Sequence, residues 1–279
     1  MDIKVITDIS SINTFMAIDN DVLYVLDNHK LFSYNLLSKN ITTSSYRFRQ
    51  SGLSRRIIFN SKYLYVRQFC TIHEFSKSTL ERTRRWKIGK DLSSDITGVC
   101  CDEEKVYMGI RNGGFAVLDI NSGKIENFNI CDSSMWDMTE KDEYIYAGNV
   151  DAQLLRIRKS PFKLEDAIKA HKKNCKDVLV HDKFIYTASS DMSIKKFDLD
   201  TLTELKERKR AFPRMFSIIG IIDNMLICMS MSSKSTAFFD ADTLKPLATE
   251  PIFCRNMCVY KDKIIFNDNN HIYSKIVTR

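Results

Sequence analysis

Histidines, cysteines and carboxylates are the side chains that could do chemistry in this 279-residue sequence, and their spacing does not assemble a reactive site. The histidines share no register that would form a catalytic triad or a pair of metal ligands; they are His29, His73, His171, His181 and His271. Cys254 and Cys258 lie four residues apart, but neither a second pair nor a nearby histidine completes the spacing of a zinc site. We therefore expect no catalytic residue, no metal and no cofactor.

The eight cysteines are scattered through the chain rather than set at the spacings of a disulfide framework; they are Cys70, Cys100, Cys101, Cys131, Cys175, Cys228, Cys254 and Cys258. Scattered cysteines of this kind are typical of small buried hydrophobic residues in a reducing compartment. The first residues lack the basic start and apolar centre of a signal peptide, and no stretch reaches the roughly 18 apolar residues that a membrane helix needs. We expect a cytoplasmic protein, with the nucleus as the alternative.

The elements that must position any functional side chain repeat with a period of about forty residues. Residues 95–130 show the fullest copy, in which turn residues separate four short apolar and aromatic runs. One hydrophobic residue marks the same place in every copy: Tyr24, Tyr65, Tyr107, Tyr146, Tyr186, Ile227 and Phe266. Repeats of this length predict a β-propeller with one blade per repeat. The predicted fold is all-β, a seven-bladed β-propeller of four-stranded antiparallel blades that forms a single domain over residues 1–279.

The seventh copy contains three strands, so its outermost strand must come from elsewhere. Residues 3–6 read Ile-Lys-Val-Ile ahead of the first inner strand, and we predict that this segment completes the last blade. Such an exchange removes a sheet edge that would otherwise remain open. The segment 161–171 is the one stretch that could be read as a helix, and we interpret it as an outer strand.

Two carboxylates have matching positions in neighbouring repeats. Asp137 and Asp177 each stand nine residues before a marker, and Arg56 occupies the same place in the second repeat. A ring of several carboxylates would indicate a metal site, but this set predicts backbone hydrogen bonds or a salt bridge with Arg56 instead. The surrounding run from Met135 to Met138 is apolar, and we expect it to belong to the core.

The fifth repeat resembles a WD40 repeat. Its residues Ala170-His171 and the run YTASSDMSIKKFDLDT are similar to the family pattern of a Gly-His pair, a strand with small hydroxyl residues, an Asp in a turn and a strand ending in Trp-Asp. The resemblance implies that a structural tetrad is formed here by His171, Ser189, Asp191 and Phe197. Phe197 stands where the family has Trp, and the other repeats keep the period without most of the motif. By resemblance this is a divergent WD40-like propeller, a fold that mostly provides scaffolds and recognition platforms.

Positive charge is concentrated in four windows, 47–56, 81–90, 169–176 and 206–214, which hold 18 of the 42 Lys and Arg residues and only two acids. In a propeller the connections from outermost to next innermost strands lie on one face, and we place these windows there. Acidic turns such as 102–105 and 140–143 belong to the opposite face. The candidate binding residues are Arg47, Arg49, Arg55, Arg56, Arg82, Arg84, Arg85, Lys172, Lys173, Arg208, Lys209, Arg210 and Arg214.

These features favour a non-catalytic scaffold or protein-interaction module that recognises an acidic or phosphate-bearing partner through a basic face. A nucleic-acid-binding subunit of an RNA-processing or chromatin complex is the alternative. An enzyme that uses the mouth of the central channel is a third hypothesis, and the lack of convergent ligands counts against it.

Overall fold

The computed structural model describes residues 3–8, 14–27, 29–48, 53–89, 95–212, 217–230, 233–252, 254, 256–268 and 270–278, with residues 14 and 53–55 described as backbone. Within this part of the chain, 28 strands form seven sheets of four antiparallel strands. Each pair of neighbouring inner strands is in contact, including the first with the last, so the sheets form a closed ring of seven blades. This confirms the predicted all-β seven-bladed propeller.

The first three blades are formed in chain order, from the innermost strand outward. Blade 1 contains β2 (Thr14–Asp19), β3 (Val22–Asp27), β4 (Lys30–Asn35) and β5 (Ile41–Arg47). Blade 2 contains β6 (Leu53–Phe59), β7 (Tyr63–Gln68), β8 (Thr71–Ser76) and β9 (Arg82–Lys87). Blade 3 contains β10 (Ile96–Cys101), β11 (Lys105–Ile110), β12 (Gly114–Asp119) and β13 (Ile125–Asn129).

The next three blades follow the same order. Blade 4 contains β14 (Met135–Lys141), β15 (Tyr144–Asn149), β16 (Gln153–Lys159) and β17 (Phe162–Lys169). Blade 5 contains β18 (Cys175–His181), β19 (Phe184–Ser189), β20 (Ile194–Asp198) and β21 (Glu204–Arg208). Blade 6 contains β22 (Ser217–Ile222), β23 (Met225–Ser230), β24 (Ser235–Asp240) and β25 (Pro246–Glu250). β17 is an outer strand, which confirms the interpretation of segment 161–171.

Blade 7 combines the two ends of the described chain. Its strands are β26 (Met257–Tyr260), β27 (Lys263–Asn267), β28 (His271–Ile276) and, outermost, β1 (Ile3–Asp8). β1 pairs antiparallel with β28, from Ile3 opposite Lys275 to Asp8 opposite His271. The predicted closure by the N-terminal strand is therefore confirmed.

The second strand of each blade is rich in apolar residues and is buried, whereas the outermost strands are more polar and more exposed. The marker residues all lie on second strands and are buried. β23 is buried at every position, whereas β21 is exposed at every position. Two-sided burial favours continuous apolar runs, and solvated outer strands tolerate charge. Apolar side chains from adjacent blades pack together in clusters between the sheets.

The turns after the third strands are fixed by an aspartate at one register. Asp119, Asp198 and Asp240 each accept hydrogen bonds from the backbone N–H and the hydroxyl of the residue three positions later. The distances from donor to carboxylate oxygen are 2.7 to 2.9 Å. These local bonds satisfy turn backbone that no sheet partner reaches, as the sequence pattern predicts.

Candidate functional site

The two faces of the ring carry different loops. We call the side with the connections between blades, such as residues 170–174, the connection face. The other side carries the turns between first and second strands and between third and fourth strands, such as residues 102–104 and 199–203, and we call it the turn face.

Carboxylates on the turn face bind cations from their own or neighbouring blades. Lys159 Nζ lies 3.1 Å from Asp102 Oδ2 and 3.0 Å from Glu140 Oε2. Asp19 pairs with Lys77 of the next blade, and other pairs on this side have the same character. Much of the negative charge of the turn face is therefore neutralised within the ring.

The predicted basic residues have several different environments. Arg47, Lys172, Lys173, Arg208 and Arg210 are exposed and have no carboxylate within 4 Å among the described residues. Lys209 Nζ lies 3.2 Å from Glu207 Oε2. Arg49 and Arg214 lie outside the described residues, and so does the side chain of Arg55.

The second basic window, residues 81–90, is mostly the outermost strand β9 rather than the connection that we expected. Arg84 turns toward blade 3, donates from Nε and Nη2 to Glu74 at 2.8 and 2.7 Å, and donates to the carbonyl of Ile120. Because the Glu74 carboxylate is fully buried, this bidentate pair raises the pKa of Arg84. Arg84 thus performs an internal structural role, whereas Arg82 and Arg85 are exposed.

The shared register of the inner strands brings Arg56, Asp137 and Asp177 together at the channel. Arg56 of blade 2 forms an ion pair with Asp137 of blade 4 and donates to the Met138 carbonyl at 3.0 Å. Blade 3 has Gly98 at this level, where a Cβ atom would lie 2.9 Å from Met138 Cγ. The salt bridge that the sequence suggested is therefore present, and it crosses the blade that lies between its partners.

Asp177 is the carboxyl of this group that lacks full compensation. Its Oδ2 atom is buried and has no hydrogen-bond partner among the described residues, whereas Asp137 Oδ2 accepts the Val178 N–H at 3.0 Å. Burial, followed by the charge of Asp137, raises the pKa of Asp177 to about 7. Burial also raises the pKa of Asp137, but Arg56 and the Val178 N–H oppose that rise, so Asp177 is the carboxyl of the pair that takes up a proton more readily.

Trp136 does not belong to the core as we expected, because its strand contains a bulge. The pairing of β14 with β15 shifts between Met135 and Asp137, and the extra residue Trp136 is 43% exposed. β18 has the same irregularity at Lys176, whose Nζ lies 5.7 Å from the centroid of the Trp136 ring. A bulge re-aims one side chain out of the alternating pattern. The sequence offered no signal for this beyond the shared register.

His171 is the centre of a buried polar network in blade 5. Its Nδ1 lies 2.8 Å from Ser193 Oγ, and its Nε2 lies 2.7 Å from Thr187 Oγ1. The Ser193 hydroxyl donates to Asp191 Oδ1, so it accepts from a protonated Nδ1 and leaves Nε2 to accept from Thr187. Burial lowers the pKa of His171 to about 4, which keeps the ring neutral.

The other two residues proposed for the tetrad contact different groups. The Ser189 hydroxyl donates to the Lys173 carbonyl at 3.0 Å, and Thr187 and Ser193 are the hydroxyls that bond His171. The Phe197 ring is buried within the apolar cluster of blades 4 and 5. Ser189 was assigned by its place in the motif, and Thr187 stands on the same strand face two residues earlier.

The described residues contain no group of three or more His, Cys, Asp or Glu side chains that could hold a metal ion. In the same part of the chain, no helix is long and apolar enough to cross a membrane. All eight cysteines are free thiols, and burial raises the pKa of Cys175 and Cys258. Buried thiols of this kind are unreactive.

No protein-family model and no curated protein sequence matches this sequence. Solved structures do match its fold. A chain in the crystal structure of the mitotic checkpoint complex has a TM-score of 0.81 and 10% identity, over 99% of this chain and 91% of that chain. The computationally designed protein Ika8 has a TM-score of 0.73 and 10% identity, over 98% of both chains. At this identity the likeness shows the fold alone, and the class of protein that it defines is a seven-bladed β-propeller.

Proposed function

We propose that this protein is a non-catalytic interaction module whose connection face binds an acidic or phosphate-bearing segment of a protein partner. The observation that carries the proposal is the contrast between the two faces. Carboxylates of the turn face, such as Asp102 and Glu140, are engaged by lysine. Exposed cations such as Lys172, Lys173 and Arg210 have no acidic partner among the described residues. Uncompensated charge on one face favours a partner of opposite sign.

Solubility alone would favour a different distribution. Surfaces that serve only solubility usually intersperse both signs of charge. Here the exposed cations of the connection face stand in clusters such as Lys172-Lys173 and residues 208–210, whereas the exposed lysines of the turn face stand singly in the sequence and carboxylates of that face are paired within the ring, as Asp19 is with Lys77. Trp136 supports the same face, because it is an exposed aromatic side chain next to Lys176, and aromatic residues are frequent binding hot spots.

A charge-reversal variant tests this proposal against a control with the same change in net charge. The connection variant replaces four exposed cations of the connection face by Glu: Lys172, Lys173, Arg208 and Arg210. The turn variant replaces four exposed lysines of the turn face by Glu: Lys39, Lys62, Lys183 and Lys245. We expect binding of a polyglutamate probe to fall about tenfold or more in the connection variant and to be much less changed in the turn variant. Equal losses in both variants would mean that net charge alone attracts the probe.

Nucleic-acid binding is the second candidate function, because exposed arginine also suits phosphodiester backbones. The two candidates differ in their response to salt. Binding to a nucleic-acid backbone should weaken linearly with the logarithm of salt concentration, whereas a packed protein interface with Trp136 as an anchor should respond less. Titrations of polyglutamate and of oligothymidylate over a range of salt concentrations distinguish them.

A further inference from the structure

The outer strand β9 differs from the other outer strands in its charge. Its sequence, RTRRWK, contains four cations and no acid. β17 and β21 combine cations with acids, and their acids form ion pairs with cations of the neighbouring third strands, Glu165 with Arg158 and Glu204 with Lys195. β13 and β25 each contain one acid and no cation. Charge that only keeps an outer strand soluble does not require this imbalance.

Three of the four cations form a row on the side of blade 2 that faces blade 1. In the antiparallel pairing of β9 with β8, Lys87 lies opposite Thr71, Arg85 opposite His73, and Arg82 opposite Phe75. Those partners alternate along β8 and therefore lie on one side of the sheet, about 7 Å apart. A register shift beside Phe75 brings Arg82 onto the same side as Arg85. We call Arg82, Arg85 and Lys87 the cation row.

The acids near the row leave it uncompensated. Glu74 lies on the opposite side of the sheet, where Arg84 engages both of its carboxylate oxygens. Glu81 accepts hydrogen bonds from Ser45, at 2.6 Å from its hydroxyl. No carboxylate of the described residues lies within 4 Å of a cation of the row. The row therefore presents a local positive potential to solvent.

Aromatic packing holds the row in place. The Arg82 guanidinium lies 4.2 Å from the centroid of the Tyr46 ring, and Tyr46 packs against Phe48, His73 and Phe75. A guanidinium stacked on an aromatic face keeps its N–H groups available for an anion. Because the ring restricts its motion, Arg82 loses less conformational freedom when it binds a ligand.

His73 lies under the row and supplies an independent observation. Its side chain is 3% exposed, and neither ring nitrogen has a hydrogen-bond partner in the part of the chain that the structure describes. Burial and the charges of Arg82 and Arg85 lower its pKa to about 4, so the ring is neutral at physiological pH. Beside two arginines that have no carboxylate partner among the described residues, this imidazole marks a place where the fold supplies N–H donors and positive charge without supplying an anion.

We propose that the cation row binds an extended protein segment whose phosphorylated or acidic side chains occupy alternate positions. The repeat of the row matches such a segment, because alternate side chains of an extended chain also lie about 7 Å apart on one side. A single-stranded nucleic acid fits less well, since base binding requires free aromatic faces. Tyr46 is occupied by Arg82 and by its aromatic neighbours, and Trp86 of the same strand is covered by Arg84. This inference rests on the proposed function and assigns part of the partner to the edge between blades 1 and 2.

Peptide binding to three variants tests the inference. The probe is a labelled peptide that contains three phosphoserines, each separated from the next by one glycine. The comparison peptide contains three phosphoserines in succession. The row variant replaces Arg82, Arg85 and Lys87 by Glu, and its control replaces Lys39, Lys62 and Lys183 by Glu. We expect the alternating peptide to bind more tightly than the successive one, and the row variant alone to lose about tenfold or more in affinity. The triple replacement by Gln is the second row variant if the Glu variant does not fold, and its affinity should fall in the same direction.

The outcomes separate this inference from the proposed function. If the row variant binds the probe like the parent while the connection variant loses it, the inference about the cation row is wrong and the proposed function of the connection face stands. If both variants bind like the parent, both proposals fail. Oligothymidylate or vesicles containing phosphatidylserine that bind through the row more tightly than the peptide would overturn the assignment of a protein segment. Equal affinity for the alternating and successive peptides would overturn the assignment of an extended occupant.

Discussion

Replacement of His171 by Ala should destabilise the propeller by about 3 kcal/mol. The imidazole is 3% exposed and makes two hydrogen bonds, at 2.7 Å to Thr187 and 2.8 Å to Ser193. Each bond contributes about 1 kcal/mol to the free energy of unfolding. The Thr187 hydroxyl is fully buried and would lose its acceptor, which adds about 1 kcal/mol or more, whereas Ser193 would still donate to Asp191.

The assay is urea unfolding of the parent, of His171→Ala, and of the variants Thr187→Val and Ser189→Ala. A double-mutant cycle should give a coupling energy of about 1 kcal/mol between His171 and Thr187, and a value near zero between His171 and Ser189. The Ser189 hydroxyl bonds the Lys173 carbonyl, so its own removal should cost about 1 kcal/mol. Coupling to Ser189 instead of Thr187, or a loss under about 0.5 kcal/mol for His171→Ala, would refute the network.

The loss of stability caused by His171→Ala should depend on pH. The pKa of His171 falls from 6.5 in the unfolded chain to about 4 in the fold, so the folded state favours the neutral ring. Its contribution to stability is therefore complete above pH 6.5 and is lost as the pH falls toward 4. The stability difference between parent and His171→Ala should shrink across that window. A difference that stays constant from pH 7 to about 4 would mean that the ring is not buried in neutral form.

Two further predictions concern the closure of the ring and its channel. Removal of residues 1–8 deletes β1 and its pairing with β28, so the exposed edge should cause aggregation or loss of cooperative unfolding, and unchanged melting would contradict closure by this strand. Asp177→Asn should stabilise the protein by about 2 to 4 kcal/mol at pH 8, because the raised pKa of about 7 means that the folded state must hold an unfavourable charge there. That gain should shrink as the pH falls from 7 toward 4, and a stability difference independent of pH would show that Asp177 is not buried.

The sequence predicted the fold well because periodicity and the buried marker residues are local signals. The spacing of residues such as Tyr107 and Tyr146 gave the number of blades, and the Asp119 register gave the turns. It also gave the pair of Arg56 with Asp137, because equal register on inner strands implies proximity around the channel. These features follow from the position of a residue within its repeat, which can be read from the sequence without knowledge of contacts between distant residues.

Which individual cations pair within the fold and which face solvent could not be predicted in the same way. Arg84 and Arg85 are adjacent in sequence, yet Arg84 binds the buried Glu74 and Arg85 faces solvent beside His73. Alternation of side chains across β9 decides this, and the register shift beside Phe75 places Arg82 on the same side as Arg85; both depend on the pairing of strands. Trp136 was missed for the same reason, since a bulge in β14 turns it out of the core.

Lysine footprinting tests the central claim, that the connection face binds an acidic or phosphorylated partner segment, most directly. Acetylation of each lysine would be followed by mass spectrometry with and without the polyglutamate probe. We expect protection of Lys172, Lys173 and Lys209, with little change at Lys62 and Lys245 on the turn face. Protection of Lys62 and Lys245 with unchanged reactivity of Lys172 and Lys173 would contradict the claim.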